Sequence, residues 1–329
     1  MGHCGRPVEV DSQRRVRTFS EVKMSMNTRR NFLKSSAGLA ATLAAGPLAA
    51  QHTAPLSTLP QVRFGDVEIS RMVMGCNQFY GFSHFNGLLD RVMVDWNTPE
   101  RICQTLLQCQ QNGINAFQYA HREAPLKDLE NFRSKGGSMH VIATDPTLGP
   151  PDEVARRTGA MAIYLHGERT DVLFRNGKMD EAREYTKKLR QAGVRVGIGT
   201  HKPEVVEYVE EHGWDVDFYM LCVYNRTRTP EEFRKMLGVL PLPASDIYLE
   251  TDPPHAYEVA RKTSKTCFLF KILAAGRVTR TPDGVEKAFK EAFASIKPQD
   301  CVVVGMFPRF TDEVKENCDR VRRILSVNS

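Results

Sequence analysis

From residue 71 onward two patterns alternate along the chain. Short runs that are apolar almost throughout occur at Met72–Asn77, Asn115–Ala120, His140–Asp145, Met161–Gly167, Arg195–Thr200, Phe218–Asn225, Thr266–Leu273 and Cys301–Met306. Continuous apolar runs of this length predict strands covered on both faces, as in a parallel sheet. Between them, apolar residues recur at helical spacing. Val285, Ala288, Phe289, Ala292, Phe293 and Ile296 mark one such face, and Val314, Cys318, Val321 and Leu325 another. Thr98-Pro99-Glu100 supplies a cap and a first-turn proline for a further helix, which Gly113 stops. Eight strand–helix units in roughly 250 residues predict an α/β fold, a (β/α)8 TIM barrel. Ahead of it, Val62–Ile69 reads as a β-hairpin turning at Gly65-Asp66. Asp246–Asp252 reads as an insertion leading into a helix over Ala256–Lys265, and His255 as surface loop.

The first fifty residues follow another logic. Thr28-Arg29-Arg30-Asn31-Phe32-Leu33-Lys34 precedes a short, mildly apolar stretch that ends in small residues near Ala50, the layout of a signal peptide. Gly38, Gly46 and Pro47 oppose a retained amphipathic helix. The Arg-Arg pair resembles the twin-arginine (Tat) export signal. The expected organisation is therefore an extension and Tat signal over residues 1–50 and a single barrel over 51–329. The Tat machinery is then a partner, and the expected location is periplasmic or otherwise extracytoplasmic.

Charge supports that division. The chain has 45 basic and 39 acidic side chains, a net charge of +6. Residues 1–50 hold eight basic side chains against three acidic ones, so five of the six net charges lie there. The body is nearly neutral and gives no reason to expect a nucleic-acid partner. No apolar run is long enough for a transmembrane segment in the mature form. With 41% hydrophobic residues the body is not a disordered segment. Seven cysteines follow residue 50, with no Cys-x-x-Cys pair among them, which removes zinc-ribbon and iron–sulfur spacing and predicts buried thiols.

In a barrel, chemistry collects where the strands end. Those ends read Asn77, Gln118 with His121 and Glu123, Asp145, His166 with Glu168, His201, Tyr224 with Asn225, Lys271 and Met306. Lys271 sits in Phe268-Leu269-Phe270-Lys271-Ile272-Leu273, where an ammonium must be paired or lie at the open end of the strand. It reads as a base of shifted pKa, a Schiff-base nucleophile, the partner of Asp145, or one half of a structural ion pair. His121, Glu123, Asp145, His166 and His201 are ligand types for a divalent metal, or alternatively hydrogen-bonded loop residues. Residues 78–97, which carry Phe79, Tyr80, Phe82, Phe85 and Trp96, form either a lid of stacking rings or a loop core packed on the barrel rim.

Several landmarks together resemble the aldo/keto reductase superfamily. These are the hairpin leading to Ile69-Ser70-Arg71-Met72-Val73-Met74-Gly75-Cys76, then Gly113-Ile114-Asn115-Ala116-Phe117, Ile163-Tyr164-Leu165-His166, Gly197-Ile198-Gly199-Thr200, Val223-Tyr224-Asn225, and Val304-Gly305-Met306 followed by Glu316-Asn317. The resemblance implies carbonyl reduction with NADPH by an Asp, Tyr, Lys and His tetrad. Here the first three positions read Gln118, Glu123 and Asp145, and only His166 matches. On that likeness His166 would polarise a carbonyl oxygen, Asp145 or Glu123 would act as acid or base, and Lys271 as electrostatic partner. Asn77, Gln118, Tyr224 and Asn225 would contact a small carbonyl or carbohydrate substrate. Gly305, Arg309, Glu316 and Asn317 would hold NADP. Two other readings stay open: a metal-dependent lyase, isomerase or hydrolase, and a non-catalytic ligand-binding pseudoenzyme.

Overall fold

The computed structural model describes residues 58–120, 122–145, 149–243 and 245–326. All fall within one compact unit, Pro55–Ser329. The segment expected to be an export signal and His121 lie outside the described residues.

A two-stranded antiparallel hairpin, β1 (Gln61–Phe64) and β2 (Val67–Ser70), opens the fold. Gly65 turns it at φ 68°, a conformation that a side chain would strain. Eight parallel strands follow: β3 (Met72–Met74), β4 (Ala116–Tyr119), β5 (His140–Thr144), β6 (Ala160–Leu165), β7 (Arg195–Thr200), β8 (Phe218–Cys222), β9 (Thr266–Phe270) and β10 (Cys301–Val304). They close into a barrel, with β10 pairing β3 in the register Val302–Met72, Val303–Val73 and Val304–Met74. The helices between and after them are α1 (Gly87–Trp96), α2 (Pro99–Gln111), α3 (Glu123–Ser134), α4 (Pro151–Thr158), α5 (Gly167–Arg175), α6 (Met179–Gln191), α7 (Pro203–Glu211), α8 (Pro230–Leu237), α9 (Asp252–Lys262), α10 (Pro282–Ser295) and α11 (Glu313–Ser326). This is the (β/α)8 TIM barrel expected from the sequence, with the expected hairpin before it.

Alternate strand residues separate two cores. Val73, Ala116, Ile142, Ala162, Phe218, Met220, Phe268 and Val303 form one buried cluster with Phe64 and Ile69 of the hairpin. Phe64 meets Phe218 and Phe268 edge-on, at 5.5 and 5.2 Å between centroids, so the hairpin packs against the end of the barrel where β8 begins. Room for the Phe218 ring comes from Gly197, where an added Cβ would lie 2.4 Å from it. The other strand faces pack on the helices through residues such as Leu106, Phe132, Leu189, Val206 and Phe289.

The apolar runs end later than the strands. Asn77, Asp145, Gly167, Asn225, Lys271 and Met306 lie beyond the last paired residue, because the backbone turns there into the segment that follows. Asn77 begins a 3-10 turn over Asn77–Tyr80, and Gly167 begins α5. The helix expected over Ala256–Lys265 starts at Asp252, with Pro253 and Pro254 in its first turn, where a missing N–H breaks no bond. His255 therefore stands on an exposed helical position, not in a loop. Residues 78–97 are mostly helical. Phe79 is buried near Phe117, and Trp96 packs edge-on against Phe307, whereas Phe82 and Phe85 stay exposed. All seven described cysteines are buried and unbridged. No described helix is long and apolar enough to cross a membrane.

Candidate active site at the barrel mouth

Polar residues concentrate just past the carboxyl ends of the strands, where neighbouring chain segments diverge and leave side chains facing the mouth. The densest group hangs on Arg226, the first residue after Asn225. Its Nε donates to Asp246 Oδ2 at 2.7 Å, and its Nη1 donates to Glu168 Oε1 at 3.1 Å. Nη1 also lies 3.1 Å from Nε2 of His201. Since a guanidinium only donates, that nitrogen of His201 accepts, and the ring proton resides on Nδ1, 2.8 Å from Asp171 Oδ2. Burial holds the His201 pKa down to about 4 against the pull of Asp171. His201 is thus a neutral ring with both nitrogens engaged.

Asp246 also binds His84, with 2.9 Å from Nδ1 to Oδ2, while Asn77 Nδ2 lies 3.3 Å from His84 Nε2. Burial would raise the Asp246 pKa, but the bonds from His84 and Arg226 and the Arg226 charge hold it well below the usual carboxylate range. This carboxylate joins the segment before α1 to the insertion between β8 and β9.

Lys271 lies at the centre of these charges. Its backbone is left-handed, at φ 64°, unusual for a side chain of this size. Its backbone carbonyl accepts from the Ala274 N–H at 2.8 Å, but its amine has no hydrogen-bond or ion-pair partner among the described residues. Burial, with Arg226 and Arg277 adding to it, holds the amine pKa down to about 8. Asp145 is not its partner. That carboxylate accepts from the His166 backbone N–H at 2.8 Å and from Arg169 Nη1 at 3.0 Å. Arg169 lies within α5, and the sequence reading passed it over.

The remaining expected residues fall in three places. Gln118 is buried inside the barrel, donating to the Tyr164 hydroxyl at 2.9 Å and lying 3.5 Å from Cys76 Sγ. His166 is exposed at the start of α5, at the mouth, and Tyr224 is buried with its ring 5.1 Å from Tyr248. Asn225 donates its backbone N–H to Asp252, and its side-chain oxygen is buried without a partner. Glu123, by contrast, is 68% exposed on α3 and pairs with Lys127, away from any buried partner. No three described His, Cys, Asp or Glu residues are grouped to hold a metal.

The residues expected to hold NADP do not bond one another, and three of the four meet neighbouring side chains. Asn317 accepts from Arg320 at 2.5 Å, and Glu316 is exposed. Arg309 stacks on Phe310, and the space over Gly305 is taken by Gln78, whose Oε1 is buried without a partner. A shallow groove of about 450 Å³ beside Arg309 is lined by Trp96, Arg101 and Phe310.

Sequence reading missed Arg226, Asp246, Tyr248 and Arg277. Arg226 stands one residue past a strand-end pair already singled out, so extending each strand end by one position finds it. The other three lie in irregular segments without periodicity.

Neither a family model nor a curated protein matches the chain. Among solved structures, a truncated 3-deoxy-D-arabino-heptulosonate 7-phosphate synthase from Thermotoga maritima is similar at 16% identity, with TM-score 0.48, over 82% of this chain and 92% of that one. A glycerol dehydrogenase from Gluconobacter oxydans is similar at 14% identity, with TM-score 0.44, over 80% and 94%. Likenesses this distant carry no argument, and the barrel stands on its closed strand pairing.

Proposed function

We propose that the protein is an enzyme of carbonyl chemistry, with the barrel mouth as its active site and the Lys271 amine as the group that reacts with a small carbonyl compound. The observation that carries this reading is a lysine whose amine has no partner among the described residues, held in left-handed backbone among engaged charges. A structural ion pair is the ordinary use of such a lysine, and no described carboxylate forms one with it. An amine with a pKa near 8 is partly neutral at pH 7, so its lone pair is available. It adds to the carbonyl carbon, the π pair moves to oxygen, and oxygen takes up a proton as nitrogen loses one. Loss of water then leaves an imine to Lys271. His166, exposed at the mouth, is the residue proposed to orient the carbonyl oxygen. Tyr224 and Asn225 line the substrate side.

The aldo/keto reductase likeness extends to the substrate class in this reading, but not to hydride transfer. Gln118 and Asp145 are committed to Tyr164 and Arg169, and Glu123 is on the surface. The residues expected to grip NADP are likewise engaged or exposed, so they fit the dinucleotide poorly. The metal reading fits poorly for a similar reason, since His201 has no free ring nitrogen and Asp145 no free oxygen.

Borohydride reduction in the presence of small aldehydes and ketones tests the assignment. Peptide mapping is expected to find the adduct on Lys271 and to lose it in Lys271→Met. Labelling spread over surface lysines would overturn it. We further propose extracytoplasmic action after Tat export, on the pattern of Thr28–Ala50. Replacing Arg29 and Arg30 with lysine is then expected to retain the protein in the cytoplasm, and unchanged fractionation would refute it.

A further inference from the structure

Among the charges that surround Lys271, the mouth contains two further groups with bonding capacity that no described residue uses. The Tyr248 hydroxyl is buried and has no hydrogen-bond partner among the described residues. A buried hydroxyl without a partner bears its desolvation penalty with nothing to offset it, so folded proteins rarely retain one without a use. Arg277 stacks over the Tyr248 ring at 4.1 Å and over Phe85 at 5.3 Å. Its bonds go to backbone carbonyls only: Nη1 to His84 and Ala274, at 3.1 and 3.2 Å, and Nη2 to Asp246 at 2.7 Å. Of five N–H donors, the Nε–H and one on Nη2 have no partner among the described residues. No described carboxylate pairs with this guanidinium. Arg226 differs, since Asp246 and Glu168 already match its charge. Lys271 and Tyr248 share the same charged surroundings, namely Arg226, Asp246 and Arg277. A planar guanidinium with spare donors, stacked on a tyrosine whose hydroxyl is also spare, is suited to an oxyanion.

We propose that Arg277 and the Tyr248 hydroxyl receive the anionic group of the substrate, so that the substrate class is a small aldehyde or ketone carrying a carboxylate or a phosphate, seated beside the Lys271 amine. This rests on the reading of Lys271 as the reacting group. The anion has a second effect there: the imine formed on Lys271 is a cation when protonated, and a bound carboxylate or phosphate stabilises it where water is scarce.

Three two-carbon aldehydes test this by borohydride trapping and peptide mapping: neutral glycolaldehyde, glyoxylate and glycolaldehyde phosphate. At least one of the two anions is expected to half-label Lys271 at a concentration about tenfold lower than glycolaldehyde, one charge-assisted hydrogen bond being worth about that factor. The better of the two identifies carboxylate or phosphate as the natural group. Tyr248→Phe removes an unbonded buried hydroxyl, so it is expected to raise stability while it shrinks the preference, and Arg277→Gln shrinks the preference too. Equal labelling of Lys271 by all three aldehydes overturns the anion site while leaving the Lys271 reading in place. Should no aldehyde label Lys271, calorimetric titration with glycolate against ethylene glycol examines the anion site by itself. Binding of glycolate that is lost in Arg277→Gln supports the site, and absence of binding overturns it.

Discussion

Arg226 donates a hydrogen bond to Nε2 of His201 across 3.1 Å, which fixes the imidazole as neutral with its proton on Nδ1. Folded His201 takes a proton only near pH 4, whereas an unfolded histidine does so near its ordinary value of 6.5. Between these values the unfolded chain holds more protons, so stability rises with pH and is lost as pH falls from about 6.5 to 4. The loss attributable to this residue is about 3 kcal/mol. Urea denaturation at pH 7 and pH 4 is expected to show it in the wild type and to show a smaller decline in His201→Gln. Identical declines would remove His201 as the cause.

Lys271→Met is expected to stabilise the protein. The folded amine titrates near 8 against an ordinary 10.5, so the unfolded state holds the extra proton between these values and stability of the wild type rises with pH across that window. At pH 7 the partly buried ammonium is a net burden of about 2–3 kcal/mol, which methionine removes. The variant is therefore expected to melt higher at pH 7, with the gap closing by pH 10, and to form no borohydride adduct. A less stable variant would point to an ion pair that the structure lacks.

Asp246→Asn keeps the shape of the side chain but discards the charge that holds Arg226 and His84. The folded pKa of this carboxylate is depressed, so its contribution is present above about pH 4 and is lost as pH falls through the folded value. Denaturation at pH 7 is expected to register a loss of about 2 kcal/mol. Glu168→Gln, whose carboxylate is 56% exposed, is expected to change stability by less than about 1 kcal/mol. Equal effects of the two substitutions would contradict the burial difference.

At the opposite end, Phe64→Ala removes a ring that is 3% exposed and wedged against Phe218 and Phe268. The expected loss is about 3–5 kcal/mol by the transfer and cavity terms together. Gly197→Ala is expected to cost about 1–3 kcal/mol, because the new methyl meets the Phe218 ring. Calorimetry checks both, and a double variant less damaged than the sum would place Phe64 and Gly197 around the same ring.

The barrel was legible because its strands are apolar on both faces and its helices carry capped, periodic stripes. Arg195–Thr200 was read from end to end, and Thr98 caps α2 by accepting from Arg101 as the sequence suggested. The mouth was legible only in part. Lys271 stood out as a charge inside an apolar run. Tyr248 and Arg277 did not, since a polar residue in an irregular segment looks like solvated loop until tertiary contacts put it somewhere. Asp145 shows the same limit: a carboxylate at a strand end has many possible cations, and only the approach of α5 selects Arg169.

The aromatic wedge of Phe64, Phe218 and Phe268 lies where the strands begin, and the charged cluster lies where they end. Rigidity and reactivity therefore reside at opposite poles of one molecule, with the strands as the spacer. Changes at the hairpin pole can harden the scaffold against heat while the amine keeps its surroundings. Under the proposed function, changes at the other pole retune which carbonyl compounds are accepted while the strand pairing that closes the barrel stays in place. A laboratory lineage that alternates between the poles has room to move in both directions.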